Sequence, residues 1–336
     1  TGLTGSGIMT LEMASVTAEL FTYNAKWFGS EKADLDVFAH KGALAIKAKN
    51  LRSHIDLDRG EGIFNKNGDN SYVEFPANQY LSYIDKLRWV MNEEKFILGD
   101  NIASSVRGLE FISFHPLQDS LSFMANTANY NLKDYIINLN GVDDIMVADA
   151  IIYPDSGFLI IMKDAIIPTL YNAKILADDL NRYHIFTGAA VDIISAQKYT
   201  GSGDYTYSDA MNQKQKIFFK DILVNKDTVT IANGDVDSEK PLHIDSKFDF
   251  KGSLNLFADR KNLTFDGYFM TNHSCELLEK EWVKFRSEID PADIVFELEE
   301  KNYNDNEDLL SSSIVMSLDS TDIYSTFLSR KDRGVD

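Results

Sequence analysis

Four aspartates, Asp143, Asp144, Asp149 and Asp155, fall close together around the strand-like run Ile145–Ala148 and the turn that follows it. Carboxylates drawn together from neighbouring strands can hold Ca²⁺, which takes several oxygen ligands. With Lys163 or Arg182 as the base, such a cluster would suit a calcium-dependent polysaccharide lyase. A solvated acidic face is the plainer reading of the same residues. Calcium is the one cofactor that any reading of this chain takes; otherwise none is expected.

A second group is aromatic. Tyr199, Tyr205 and Tyr207 bracket Gly201-Ser202-Gly203, and Tyr72, Phe75 and Tyr80 surround Pro76. Flat rings left exposed on a β surface can stack on sugars or on a partner chain. The alternative is that they pack as cross-strand pairs. The expected ligand-binding residues are Tyr199, Tyr205, Tyr207 and Tyr72.

Other catalytic patterns are missing. The six histidines (His40, His54, His115, His184, His243, His273) form no HExxH pair. Tyr183-His184 and Ser53-His54 occupy matching points of two similar phrases, Ala177–Phe186 and Ala48–Leu57, which points to a positional role. Gly201-Ser-Gly203 is followed by neither Lys-Ser/Thr nor a helix, so it reads as a turn rather than a phosphate loop. No Gly-Xaa-Ser-Xaa-Gly elbow occurs. The single cysteine, Cys275, excludes a disulfide within the chain. No catalytic residue is expected, with lyase chemistry at the aspartates as the residual alternative.

Period-two alternation dominates the elements that must carry these residues. In 248–258 the even positions are apolar or Gly, and Leu263, Phe265, Gly267 and Phe269 continue the pattern. Leu121, Phe123 and Ala125 follow it too, as do Leu35, Val37 and Ala39. Turn signals stand at Asn67-Gly68, Asn140-Gly141, Pro154–Gly157 and Asn233-Gly234. Phrases opening on a small residue recur at Ala128, Ala150, Ala173 and Ala190, spaced by 22, 23 and 17 residues. A rung of about 22 residues with alanines at its corners follows from that spacing. The fold class expected is all-β, an elongated β-solenoid or β-taco-like stack of short strands, with a twisted sandwich as the alternative. One short connector helix is expected near 275–285, because Leu277, Leu278, Trp282 and Phe285 would share a helix face.

The expected organisation is an appended remnant or linker at 1–7, a β-repeat body at 8–274, a connector helix, strand and acidic loop at 275–310, and a terminal segment at 311–336. Residues 290–310 hold eight acids against one base, and 302–310 read as a mobile loop. With neither an initiator Met nor a terminating pattern, the chain reads as part of a longer one. The formal net charge is −19. Such acidity repels polyanions, so no nucleic-acid partner is expected, and it discourages edge-to-edge pairing of strands. No apolar run approaches the roughly 20 residues of a membrane span, so no transmembrane segment is expected.

Three phrases carry a family resemblance: Tyr72-Val-Glu-Phe-Pro-Ala-Asn-Gln-Tyr80, Val147-Ala-Asp-Ala-Ile-Ile-Tyr-Pro-Asp-Ser-Gly157 and Tyr199-Thr-Gly-Ser-Gly-Asp-Tyr-Thr-Tyr207. They resemble large, uncharacterised envelope-associated β-repeat proteins of Gram-negative bacteria. The resemblance implies an extracytoplasmic protein, in the periplasm, outer membrane or cell surface, and implies no activity. In rung length and small corner residues the chain is more loosely similar to the OstA-like lipopolysaccharide-transport β-jellyroll, whose apolar groove carries acyl chains. Three functions follow as expectations: a non-catalytic structural or interaction module of an exported envelope protein, a polysaccharide-binding or calcium-dependent polysaccharide-cleaving β-helix, and a lipid-binding groove. The partners expected are other envelope proteins or polysaccharide.

Overall fold

A computed structural model describes residues 2–39, 42–99, 108–274, 279–316 and 323–330. They form two compact units, Thr1–Leu176 with Gly188–Thr200, and Ala177–Thr187 with Gly201–Asp336. The described secondary structure is β, apart from the three single 3₁₀ turns Met91–Glu93, Asp155–Gly157 and Lys163–Ala165. None of the described helical segments is long and apolar enough to cross a membrane.

The first unit opens with four long strands: β1 (Leu3–Thr10), β2 (Ala14–Tyr23), β3 (Trp27–Phe38) and β4 (Leu44–Asp56). Shorter strands follow: β5 (Glu61–Lys66), β6 (Tyr72–Phe75), β7 (Tyr80–Tyr83), β8 (Lys86–Val90), β9 (Lys95–Leu98), β10 (Leu109–Ser113), β11 (Ser122–Ala125), β12 (Thr127–Asn131) and β13 (Ile136–Asn140). Next come β14 (Ile145–Val147), β15 (Ala150–Tyr153), β16 (Phe158–Ile161) and β17 (Leu170–Ala177). Strands β1–β13 and β16 make one sheet of fourteen strands.

That sheet forks at β4. Lys47–Lys49 pair with β6, whereas Leu51–Asp56 pair with β5. Asn50 stands between them with φ 54°, a left-handed conformation that Asn adopts more readily than most residues. One arm then runs β6-β7-β10-β11 and the other β5-β8-β9-β12-β13-β16. Their inward side chains meet: Phe75 lies 5.0 Å from the Tyr130 ring. Asn78, fully buried, donates from Nδ2 to the carbonyls of Tyr135 and Ile161 at 2.6 and 3.2 Å. Period-two patterns put Val73, Phe75, Phe111 and Phe123 on one arm's inner face, and Phe96, Tyr130, Ile137 and Leu159 on the other's. Each such side chain, once fully buried, contributes roughly 1.5–3 kcal/mol.

The second unit contains β20 (Lys214–Val224), β21 (Thr230–Val236), β22 (Leu242–His243), β23 (Phe248–Phe257), β24 (Leu263–Thr271) and β25 (Val283–Ile289). They follow β18 (His184–Ser195) and β19 (Lys198–Ser208), whose residues are shared between the two units. The order β20-β21-β23-β24-β25 is antiparallel throughout, and β22 pairs β23. Its core is aromatic: Phe250 meets Phe265 at 4.9 Å, and Phe269 stacks on Phe296 at 4.1 Å. A separate sheet joins β26 (Asn302–Tyr303), β27 (Leu309–Met316) and β28 (Ile323–Arg330).

The all-β expectation holds, and so does the alternation. Phe250, Leu254, Leu256 and Ala258 are buried, as are Leu35, Val37, Leu121 and Phe123. The ladders within each unit run antiparallel. Several finer expectations are corrected. The recurring alanines do not turn corners: Ala128 and Ala173 lie inside β12 and β17, Ala150 opens β15, and Ala189 rather than Ala190 faces the core. A buried small residue fits wherever neighbouring side chains crowd in, so its spacing need not report a rung. Residues 3–7, expected as an appended remnant or linker, lie in β1, which pairs with β2. Asn233-Gly234 is no turn; both residues lie within β21, and Gly234 faces Leu254 of β23. The connector helix is absent over 279–285: residues 279–282 are irregular and Val283 begins β25. Residues 275–278, with Cys275, and His40 lie outside the described residues.

The stretch expected as a mobile acidic loop, 302–310, is a closed hairpin between β26 and β27. Asn304, nearly fully buried, accepts the N–H groups of Asn306 and Asp308 on Oδ1 at 3.0 and 2.8 Å. An Asn side chain that mimics the backbone closes a turn without apolar residues, so charge alone does not signal disorder.

Candidate functional site

A groove of about 460 Å³ opens on the outer face of β2–β5 in the first unit. Its position follows from the ladders. β2 and β3 pair at Ala18–Ala33 and again at Thr22–Gly29, and the ladder opens between those points. On the other edge of β3 the register with β4 shifts between Ser30 and Ala33. The extra chain is held by Ser30. Its Oγ donates to the Lys32 carbonyl at 2.9 Å and accepts the Lys32 N–H at 3.2 Å, while its own N–H donates to Ser53 Oγ at 3.1 Å. Such a bulge re-aims the side chains of a strand.

Gly29 lies on the groove floor, opposite His54 of β4. A Cβ there would come within 2.5 Å of the Ser53 carbonyl oxygen, so the backbones approach as closely as they do because residue 29 has no side chain. The Trp27 ring lies 4.9 Å from the His54 ring, tilted by 39°. Leu20 adds an exposed apolar side chain. Arg52 donates its Nε–H to Glu31 Oε2 at 2.7 Å. This exposed pair adds little stability, but it fixes where the guanidinium fork sits. The charged residues at the groove, Glu19, Glu31, Lys32 and Arg52, balance in sign. The site therefore offers one aromatic ring, an apolar side chain and paired charges, a set suited to holding a polar ligand with a flat apolar face.

The residues singled out from sequence fall elsewhere. Tyr199 and Tyr207 are buried in β19, which runs unbroken through Gly201-Ser202-Gly203, so neither ring is exposed. The Tyr207 hydroxyl donates to the Ile244 carbonyl at 3.1 Å. Tyr205 is half-buried and packs against Phe186 and Phe219. Tyr72 is half-exposed at the start of β6, opposite Lys49. Asp143, Asp144 and Asp155 are exposed and Asp149 is half-buried. Among the described residues no group of three or more His, Cys, Asp or Glu is placed to hold a metal ion.

The two similar histidine phrases do not occupy equivalent positions. His54 is exposed near the end of β4. His184, 1% exposed, begins β18 after the turn 178–183. Both of its ring nitrogens are engaged, and burial pushes its pKa down against the opposing pull of the Arg260 carbonyl and of Asp178. It serves the second unit's core. Trp27, Arg52 and His54 were not identified as a group in the sequence. Strand parity puts positions 52 and 54 on one face of β4, but nothing local brings β3 beside them.

Compared with known proteins, the chain matches no family model, no curated protein and no solved structure.

Proposed function

We propose that this chain is a non-catalytic interaction module of an exported envelope protein, and that the Trp27 groove holds a neutral saccharide chain. One observation carries the reading: an indole, an apolar side chain and a balanced set of charged hydrogen-bonding groups line one open groove on a rigid sheet. Sugar rings offer a flat C–H face to an aromatic ring and hydroxyls to carboxylate and guanidinium. The filled cores of both units support binding at the surface rather than inside. The finer architecture that accompanies this reading is a β-taco-like stack. Its support is the fork at Asn50, whose two arms pack face to face.

The test is calorimetric titration of the protein with short neutral oligosaccharides. Saturable binding is expected, weakened roughly tenfold in Trp27→Ala, in keeping with the loss of one aromatic contact. If no neutral oligosaccharide bound, or Trp27→Ala bound like the parent, the groove would lose this role.

A further inference from the structure

A different face of the second unit carries a local concentration of cations. Along β20 the alternate residues Lys214, Lys216, Phe218 and Lys220 are exposed, while Ile217 and Phe219 are buried. Residues two apart on a strand lie about 6.7 Å apart, so these side chains form one row. The segment 237–242 runs alongside and adds Lys240, Pro241 and Leu242 to a cleft of about 470 Å³. Gln215 holds that segment in place: its Nε2 donates to the His243 carbonyl at 2.7 Å and its Oε1 accepts the His243 N–H at 3.0 Å.

The nearby carboxylates have partners of their own. Asp235 takes Lys220 at 2.5 Å and the Ser253 hydroxyl at 2.9 Å. Asp204 lies 3.5 Å from Lys216. Asp237 accepts the Ser238 hydroxyl and the Glu239 N–H, both at 3.2 Å. Lys214 and Lys240 line the cleft with no carboxylate partner among the described residues. The cleft is lined by three lysines, Lys214, Lys216 and Lys240, against two aspartates, Asp235 and Asp237, in a chain of net charge −19. Screening over about 8 Å at physiological salt lets nearby lysines outweigh distant acids.

We propose that this cleft binds an anionic saccharide chain: one sugar carboxylate between the ammonium groups of Lys214 and Lys240, and a further sugar ring of the same chain against Phe218. The two ammonium groups meet the charge, and the exposed ring between lysines meets the apolar sugar face. The inference rests on the second unit alone and is independent of the Trp27 groove.

Tetragalacturonate is the probe, titrated calorimetrically into the whole chain. Saturable binding is expected that weakens as salt rises from about 20 to about 200 mM. Loss of two exposed pairs in Lys214→Gln/Lys240→Gln should weaken it roughly tenfold. Phe218→Ala should weaken it severalfold, and Trp27→Ala should leave it unchanged. The fully methyl-esterified probe should not bind. Absence of saturable binding, or an unaffected double-lysine variant with native circular dichroism, overturns the site. Equal affinity for inorganic phosphate overturns the saccharide as its ligand.

Discussion

The Nε2–H of His184 donates to the carbonyl oxygen of Arg260 at 2.6 Å, and its Nδ1 accepts the Tyr205 hydroxyl at 3.1 Å. The carbonyl can only accept, so it fixes the tautomer and leaves Nδ1 as an acceptor. Burial pushes the Tyr205 phenol up to about 12, which keeps its proton available for that bond. One imidazole thus joins the start of β18, the strand β19 and the turn that follows β23.

This arrangement makes stability depend on pH in a defined direction. Burial lowers the folded pKa of His184 below its ordinary value of 6.5. The unfolded chain then binds a proton at a higher pH than the folded chain does. The contribution is complete above about 6.5 and is lost progressively as pH falls from there towards the folded pKa. The ring also faces Tyr183 and senses Asp178, whose carboxylate partly offsets the effect. Urea denaturation at pH 8 and pH 5.5 should show the parent losing more stability than His184→Gln. Parallel curves for the two proteins would rule the coupling out.

At the fork of the first unit, Asp34 on β3 accepts Lys49 Nζ on one oxygen at 2.6 Å and the Asn50 N–H on the other at 3.0 Å. Burial pushes this carboxyl up, but the bonds from Lys49 and Asn50 outweigh it, and its pKa lies below 3.8. A depressed carboxyl stabilises the fold above its unfolded pKa and loses that contribution as pH falls through the folded one. Asp34→Ala should lower stability by about 1 kcal/mol at pH 7, because solvent screens both the ion pair and the hydrogen bond at this part-exposed site. Its deficit should shrink below about pH 3.5. A deficit constant with pH would mean that Asp34 acts by packing alone.

Gly29 should tolerate no side chain. Gly29→Ala brings a Cβ to within 2.5 Å of the Ser53 carbonyl oxygen, and backbone must move to relieve it. Such overpacking costs about 1–3 kcal/mol. The denaturation midpoint should fall accordingly, and neutral-oligosaccharide binding should weaken with it because the groove floor lifts. An unchanged midpoint would show that β3 and β4 separate freely there.

How much of this was legible in the sequence depends on the distance over which each feature is built. Phe250, Leu254 and Leu256 announced their burial because side-chain direction in a strand is set by the residue's own parity. Gly252 and Gly267 face each other across β23 and β24, where a Cβ on Gly252 would lie 2.6 Å from the Asp266 carbonyl oxygen. In the sequence, alternation merely counts Gly252 and Gly267 with the apolar positions and gives no sign of that approach. Tyr199 and Tyr207 misled because a Gly-Ser-Gly triplet reads as a turn, whereas here it continues a strand whose neighbours supply the hydrogen bonds. The Trp27 groove was not legible, since it needs the interrupted β2–β3 ladder and the shifted β3–β4 register together. Neither leaves a local composition signal.

The hairpin at 302–310 offers a last expectation, because acidity there suggested mobility and the geometry suggests order. Asn304 Nδ2 donates to Glu281 Oε2 at 3.1 Å and to Asp308 Oδ2 at 3.2 Å, and Glu281 Oε1 takes Arg330 Nε at 3.0 Å. One buried amide therefore closes the turn and holds Glu281, and Glu281 in turn ties β28 to the segment before β25. Asn304→Ala removes two acceptor and two donor contacts from a buried site, and a loss of about 1–3 kcal/mol is expected. Asn304→Asp keeps the acceptors but places a further acid beside Glu281 and Asp308, so it should rescue only part of that loss. Limited proteolysis separates the two views of this stretch. The parent should resist cleavage between 302 and 310, and Asn304→Ala should be cut there first. Rapid cleavage of the parent at the same place would show that the hairpin is open in solution.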